Sequence, residues 1–223
     1  MARRLNPRKK RTSIAIIKTR AFYGNRKLIA LDPRRKGILT GSQVGGAIGV
    51  SPYASRQETW RLITGRKIFE GTEATEYGSA MESSAVLAYE IKTDTIVQKS
   101  LDAQEFIMYE DWLGITPDGY VGDIYFEAKC PFSLRIPEEV PPHYMAQVQV
   151  GMKITNRLIA HLCYWTPEKL KVFEIKYNDE YWQAVLPWML EFNQYLKDDV
   201  EPKRKGKPIL PTKNAGVIID ERN

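Results

Sequence analysis

Hydrophobic positions along the 223-residue chain follow two periods. From 73 to 92, Ala80, Ser84, Leu87 and Ile91 recur at helical spacing behind a Gly71-Thr72 start, which predicts a helix. Thr95–Leu101, Trp112–Thr116 and Asp123–Cys130 then read as strands, with a Pro117-Asp118-Gly119 turn between the last two. In that turn proline presets φ, glycine accepts φ > 0, and aspartate bonds its own backbone. A second helix is expected from about His143 to Lys153, after Pro141-Pro142. Two more strands follow, Arg157–Trp165 and Leu170–Tyr177, and a last helix over Glu180–Leu196 that Pro187 is expected to kink. Its Tyr181, Trp182, Trp188, Phe192 and Tyr195 suit core packing. Upstream, Gln57–Thr64 reads as a short helix stopped by Gly65, and Thr40–Gly49 as a helix bounded by a turn at Ser51-Pro52-Tyr53. The order predicts an α/β fold, a central mixed sheet flanked by helices, with the middle helix as a crossover.

Composition narrows the chemistry. The size suits one domain, and no apolar run is long enough to span a membrane. Two cysteines, Cys130 and Cys163, exclude a disulfide framework and a cysteine zinc site, and suit a reducing, intracellular compartment. With only His143 and His161, a metal here is held by oxygen. The Gly-rich 41–49 segment has no Gly-Lys-Ser/Thr ending, which argues against a nucleotide triphosphate loop.

Charge is uneven. Residues 1–36 hold thirteen Lys or Arg and one acid, Asp32, for a net of +12, while 37–223 carry a net of −6. The division expected is a basic arm over 1–33, with Thr12–Thr19 apolar enough for a strand or helical turn, and a domain over 34–223. That domain ends in a basic tail bearing Lys203, Arg204, Lys205 and Lys207. Such an arm suits polyanion binding, because neutralising phosphates releases counterions. The run Pro7–Arg11 would equally serve as a nuclear signal. No apolar stretch of a secretory signal follows it.

Gly114 to Pro131 (GITPDGYVGDIYFEAKCP) concentrates the reactive groups. Four Glu-x-Lys spacings occur, at Glu90/Lys92, Glu127/Lys129, Glu174/Lys176 and Glu201/Lys203, but only Glu127/Lys129 follows an aspartate in a turn, Asp118. Strand alternation puts Glu127 and Lys129 on one face and Ala128 on the other. Asp118, on the neighbouring strand end, can lie alongside Glu127. Two carboxylates and the Ala128 carbonyl make an all-oxygen site suited to Mg²⁺ and phosphate chemistry. The Lys129 ammonium, partly desolvated beside a metal, is expected to have a lowered pKa and to activate or orient water for phosphodiester hydrolysis. The competing reading is a salt bridge at a strand end; Ile124, Tyr125 and Phe126 mark a buried strand, where an idle charged pair is costly. Glu82 reads either as a carboxylate acting through water or as a solvated helix face. Gln147 shares a helix face with Tyr144 and Gly151 and suits a bond to phosphate or water, though periodicity does not separate it from Gln149.

Over about residues 34 to 177 the chain resembles the PD-(D/E)XK (restriction-endonuclease-like) nucleases, and among them the YqaJ-type viral recombinases related to phage lambda exonuclease. The resemblance rests on four segments: 35–42 (RKGILTGS); Gly78 through Glu82; 116–119 (TPDG) with 126–132 (FEAKCPF); and 144–149 (YMAQVQ). It implies that Asp118, Glu127 and the Ala128 carbonyl hold the metal and that Lys129 positions or deprotonates water. It further implies Glu82 as an outer carboxylate, Gln147 as a supporting polar group, and Arg35 and Ser42 as ligands of a 5′-phosphate. The implied activity is Mg²⁺-dependent 5′→3′ digestion of one strand of double-stranded DNA, with Mn²⁺ as a substitute ion. The 3′ tails left behind would serve a single-strand annealing protein in recombination. Lambda-like members imply a homo-oligomer, a ring-shaped trimer; here the long basic arm offers another way to hold DNA. An endonucleolytic or structure-specific nuclease on the same core, and a DNA-binding module without catalysis, are the alternatives. Removing residues 1–30 is expected to weaken DNA binding and flatten its salt dependence, read from affinities across a salt series; an unchanged slope reduces the arm to a targeting segment.

Overall fold

The computed structural model describes residues 33–98, 106–211 and 214–222. The expected N-terminal arm, apart from residue 33, lies outside them, as do 99–101 of the strand expected over Thr95–Leu101. Within that segment Gln98 makes an isolated bridge to Tyr120.

Local signals set the helix ends. Strand β1 (Leu39–Thr40) runs through a 3-10 turn, Gly41–Gln43, into the short helix α1 (Val44–Ala47). Helix α2 (Arg56–Ile63) opens on a capping box: Ser55 Oγ accepts from Glu58 N–H, and the Glu58 carboxylate accepts from Ser55 N–H at 3.0 Å. Helix α3 (Glu73–Thr93) starts on the matching Thr72/Thr75 exchange and stops at Asp94, whose φ of 52° cannot continue a right-handed helix. Pro142 opens α4 (Pro142–Thr155), since the first helical turn has no use for its missing N–H, and Asn156 ends it at φ 53°. Helix α5 (Asp179–Lys197) begins where Asn178 accepts from the amides of Glu180 and Tyr181. It is assigned helical throughout, with Pro187 on an exposed turn.

Strands β4 (Gly119–Val121), β5 (Ile124–Lys129), β6 (Ile159–Thr166), β7 (Lys169–Lys176) and β8 (Ala215–Arg222) form one sheet in that spatial order. Within this sheet, among the described residues, only β5 and β6 pair in parallel, and α4 is the crossover such a pair requires. A smaller sheet has the order β1-β3-β2, with β2 at Ile107–Tyr109 and β3 at Leu113–Ile115. Tyr125, Leu162, Tyr164, Phe173 and Ile175 pack with α4 and α5 on one face of the large sheet. Phe126, Ala128, Cys130, Cys163 and Val172 pack with Ala85, Val86 and Tyr89 of α3 on the other. The mixed sheet flanked by helices is the architecture expected. No helix among the described residues is long and apolar enough to cross a membrane.

Several expectations change. The buried stripe of α3 is Ala85, Val86 and Tyr89, packed on Phe126, Cys163 and Val172 of the sheet, whereas Leu87 and Ile91 are exposed. Trp112–Thr116 narrows to β3 and joins the smaller sheet, so the hairpin partner of β5 is β4 instead. The reversal falls at Gly122, with φ 56°. Gly119 has no positive φ; a Cβ there would lie 2.5 Å from Val97 Cγ1, so its smallness serves close packing. The last described residues form the edge strand β8, which supplements the expected tail with a place in the sheet.

Candidate active site

Along β5, Tyr125, Glu127 and Lys129 point to the α4 face at every second residue. Glu127 is only 2% exposed, and a carboxylate so deeply placed needs donors. It has three. Tyr125 Oη donates to its Oε2 at 2.9 Å, and Lys129 Nζ and Gln147 Nε2 each donate to its Oε1 at 2.6 Å. Gln147 Oε1 accepts from Lys129 Nζ at 3.2 Å, closing a ring of three side chains. Tyr144, one turn before Gln147 on α4, lays its ring 4.8 Å from Lys129 Nζ, a cation–π contact. Gln149, which periodicity did not separate from Gln147, is structural: it donates to Lys176 O and accepts from Asn178 N–H, tying α4 to the start of α5.

Asp118 sits just before β4, and its Oδ2 accepts from Ala128 N–H at 2.9 Å. The β4–β5 ladder ends at the Gly119/Phe126 pair, so Ala128 has no strand partner on that side. In a strand the N–H and C=O of one residue face the same edge, which turns the Ala128 carbonyl toward Asp118 as well. Asp118, Glu127 and that carbonyl are hard oxygen donors of the type a divalent cation selects, so the donor set fits the metal implied for this fold.

Burial by itself lowers the Lys129 pKa, but the charges of Glu127 and Asp118 outweigh it and raise the pKa above that of an ordinary lysine. Those two charges oppose the lowering expected from desolvation. Lys129 is held as an ammonium, a donor and counter-charge.

Arg35 and Ser42 come to the same place from the smaller sheet. Arg35 Nη1 donates to Thr116 Oγ1 at 2.9 Å, and its guanidinium lies 5.0 Å from the Phe106 ring. Ser42 is exposed, with Oγ 3.4 Å from Thr40 Oγ1. Together with Thr40, Gly41, Ile115 and Thr116 they line a small cleft of about 50 Å³, whose remaining walls are Tyr125 and Gln147. Glu82 is half-buried on α3, one turn beyond Gly78, which lies near Cys130 O. No three His, Cys, Asp or Glu side chains are grouped for a metal among the described residues.

Tyr125 was not singled out from sequence, where it reads as a core aromatic; its signal was the period-2 spacing with Glu127 and Lys129. Room for it comes from Gly151 on α4, where an added Cβ would lie 2.6 Å from Tyr125 Cζ and 2.8 Å from its hydroxyl. Tyr125→Phe keeps the ring and is expected to lower divalent-ion affinity severalfold while costing about 1–3 kcal/mol of stability, read by calorimetry and thermal unfolding. Gly151→Ala should reproduce the affinity loss by displacing the same hydroxyl. Unchanged ion binding in both variants would show the hydroxyl to be irrelevant to the site.

Solved structures share this architecture. LHK-Exo, an alkaline exonuclease from Laribacter hongkongensis, superposes with a TM-score of 0.62 at 23% identity, covering 79% of this chain and 94% of that one. Its complex with dAMP gives the same score and identity over 75% and 91%. A phage-related exonuclease from Haemophilus somnus 129PT aligns with a TM-score of 0.59 at 13% identity, over 72% and 94%. At these identities the likeness establishes the PD-(D/E)XK fold. Among curated proteins none matches. The YqaJ-like viral recombinase domain matches residues 31–158, a span that holds β1 through α4 and every side chain placed around Glu127, and the chain belongs to that family.

Proposed function

We propose that this protein is a metal-dependent deoxyribonuclease that digests one strand of double-stranded DNA from its 5′ end, in the 5′→3′ direction. The observation that carries this reading is the sharing of walls between two sites. Tyr125 and Gln147 line the Arg35/Ser42 cleft, and the same two residues hold the two oxygens of Glu127. A terminal phosphate seated in that cleft lies next to the hydrolytic centre, as an end-dependent enzyme requires. The names of the similar structures, exonucleases all, and of the family, a viral recombinase domain, support the same reading.

Asp118, Glu127 and the Ala128 carbonyl would hold the cation, Mg²⁺ with Mn²⁺ as a substitute, which when bound supplies Lewis-acid neutralisation of the scissile phosphate. Lys129 keeps its proton beside Glu127 and donates to the attacking water or to a phosphate oxygen, which orients the one and offsets charge building on the other. Gln147 holds the Lys129 ammonium and the Glu127 carboxylate in register with its two amide ends. Glu82 contributes an outer carboxylate from α3. Arg35 offers a planar fork and Ser42 a hydroxyl to the 5′-phosphate. The product is a 3′ single-stranded tail suited to an annealing protein in recombination.

Asp118→Ala is expected to lower Mg²⁺-dependent hydrolysis of linear duplex at least about a hundredfold with DNA binding retained; full activity would remove Asp118 from the mechanism. Lys129→Ala should lose as much activity and also about 3–5 kcal/mol of stability, because it strands the Glu127 charge in the interior. Rates on linear 5′-phosphate, linear 5′-hydroxyl and closed circular duplex test end dependence. Arg35→Ala should narrow the preference for 5′-phosphate. Cutting of the circle would move the activity to the endonuclease class.

A further inference from the structure

The run Lys203, Arg204, Lys205 and Lys207 reads in the sequence as part of a tail, yet the fold pins it against α2, α5 and Gly49. Asp199, with φ 56°, reverses the chain after α5. Two contacts then tie the returning segment to α2 and its flank. Asp199 meets Arg66 at 2.6 Å, and Glu201 takes Arg61 in a two-pronged contact at 2.6 and 2.8 Å. Buried Pro202 and Pro208 bracket the run. Between them Lys205 lies 4.1 Å over the Trp188 ring with its ammonium on Glu191.

The segment also abuts the turn that follows α1. A Cβ added to Gly49 would lie 3.5 Å from Gly206 O. Gly49 closes the glycine-rich turn whose other end, Gly45, presses on His143, where a Cβ would come within 2.6 Å. The His143 ring lies 4.0 Å from Tyr144, which covers Lys129, and 5.2 Å from the exposed Tyr53. A chain of packing contacts therefore links Lys129 to Gly206.

Charge along it is unbalanced. The carboxylates of Glu191, Asp199 and Glu201 are engaged by Lys205, Arg66 and Arg61. Lys203, Arg204 and Lys207 are exposed, and none of them forms an ion pair among the described residues. Fully extended, Lys203 to Lys207 reach roughly 14 Å, about four base-pair steps of duplex. Trp188, the aromatic face nearby, is covered by Lys205, so the run offers cations without a platform for unpaired bases.

We infer that Lys203, Arg204 and Lys207 form a phosphate track that holds double-stranded DNA as it feeds the hydrolytic site. The inference rests on the nuclease reading for the identity of its partner. The test is fluorescence anisotropy of the full chain with labelled duplex in EDTA, where nothing is cut, across a salt series. The triple variant Lys203→Ala, Arg204→Ala, Lys207→Ala should bind about ten- to hundredfold more weakly, and the slope of log affinity against log salt should flatten by about 2 to 3. Lys203→Arg with Lys207→Arg should keep the wild-type slope. All three side chains are exposed, so an unchanged melting temperature accompanies the expected result. An unchanged slope in the triple variant overturns the track, and an equal loss on single-stranded DNA overturns the assignment to duplex. A wild type that binds duplex through these residues but never cleaves it overturns the nuclease reading and leaves the track standing.

Discussion

The burial of one carboxylate, Glu127, organises everything around it. An anion almost wholly removed from water is tolerable only when donors meet its lone pairs, and here three donors from two elements do so. Strand alternation supplies Tyr125 and Lys129, and α4 supplies Gln147. Each donor is itself positioned: Tyr125 by the space at Gly151, Lys129 by the Tyr144 ring, Gln147 by exchanging bonds with both charges. A preorganised ring of this kind holds its geometry before any substrate arrives.

The sheet topology explains why the site opens where it does. Because β4 is three residues long, its ladder stops short of Ala128 and leaves that amide to Asp118. Because β5 and β6 are parallel, α4 must cross over the face bearing Glu127 and bring Gln147 down onto it. The smaller sheet ends beside this corner, with Thr116 following β3 and Arg35 bonded to it. The cleft proposed for the 5′-phosphate and the proposed hydrolytic centre thus meet at the junction of two sheets, with Tyr125 and Gln147 as the shared wall.

Lys129 shows two opposing effects meeting at one residue. Desolvation is the larger single effect, since the residue sits on a strand flanked by Ile124, Tyr125 and Phe126. Against it stand two carboxylates, Glu127 at 2.6 Å and Asp118, and together their charges stabilise the ammonium. The helix α3 adds a second case: Leu87 and Ile91 have the right spacing for a core stripe, but the face turned to the sheet carries Ala85, Val86 and Tyr89.

Much of the fold and the pairing of Asp118 with Glu127 and Lys129 was legible in the residues alone, because caps, turns and strand alternation are local effects that act within a few positions. The helices over 73–93, 142–155 and 179–197 and the strands at 124–129, 159–166 and 169–176 follow from such patterns. Only the tertiary structure decided that Gln147 and not Gln149 faces the site, that Tyr125 is a donor, that Arg35 and Ser42 share its cleft, and that the basic run at 203–207 lies against Gly49. Those outcomes depend on which surfaces meet across the fold, and contacts between residues distant in the chain are set by packing and the burial of charge, which no short-range period records.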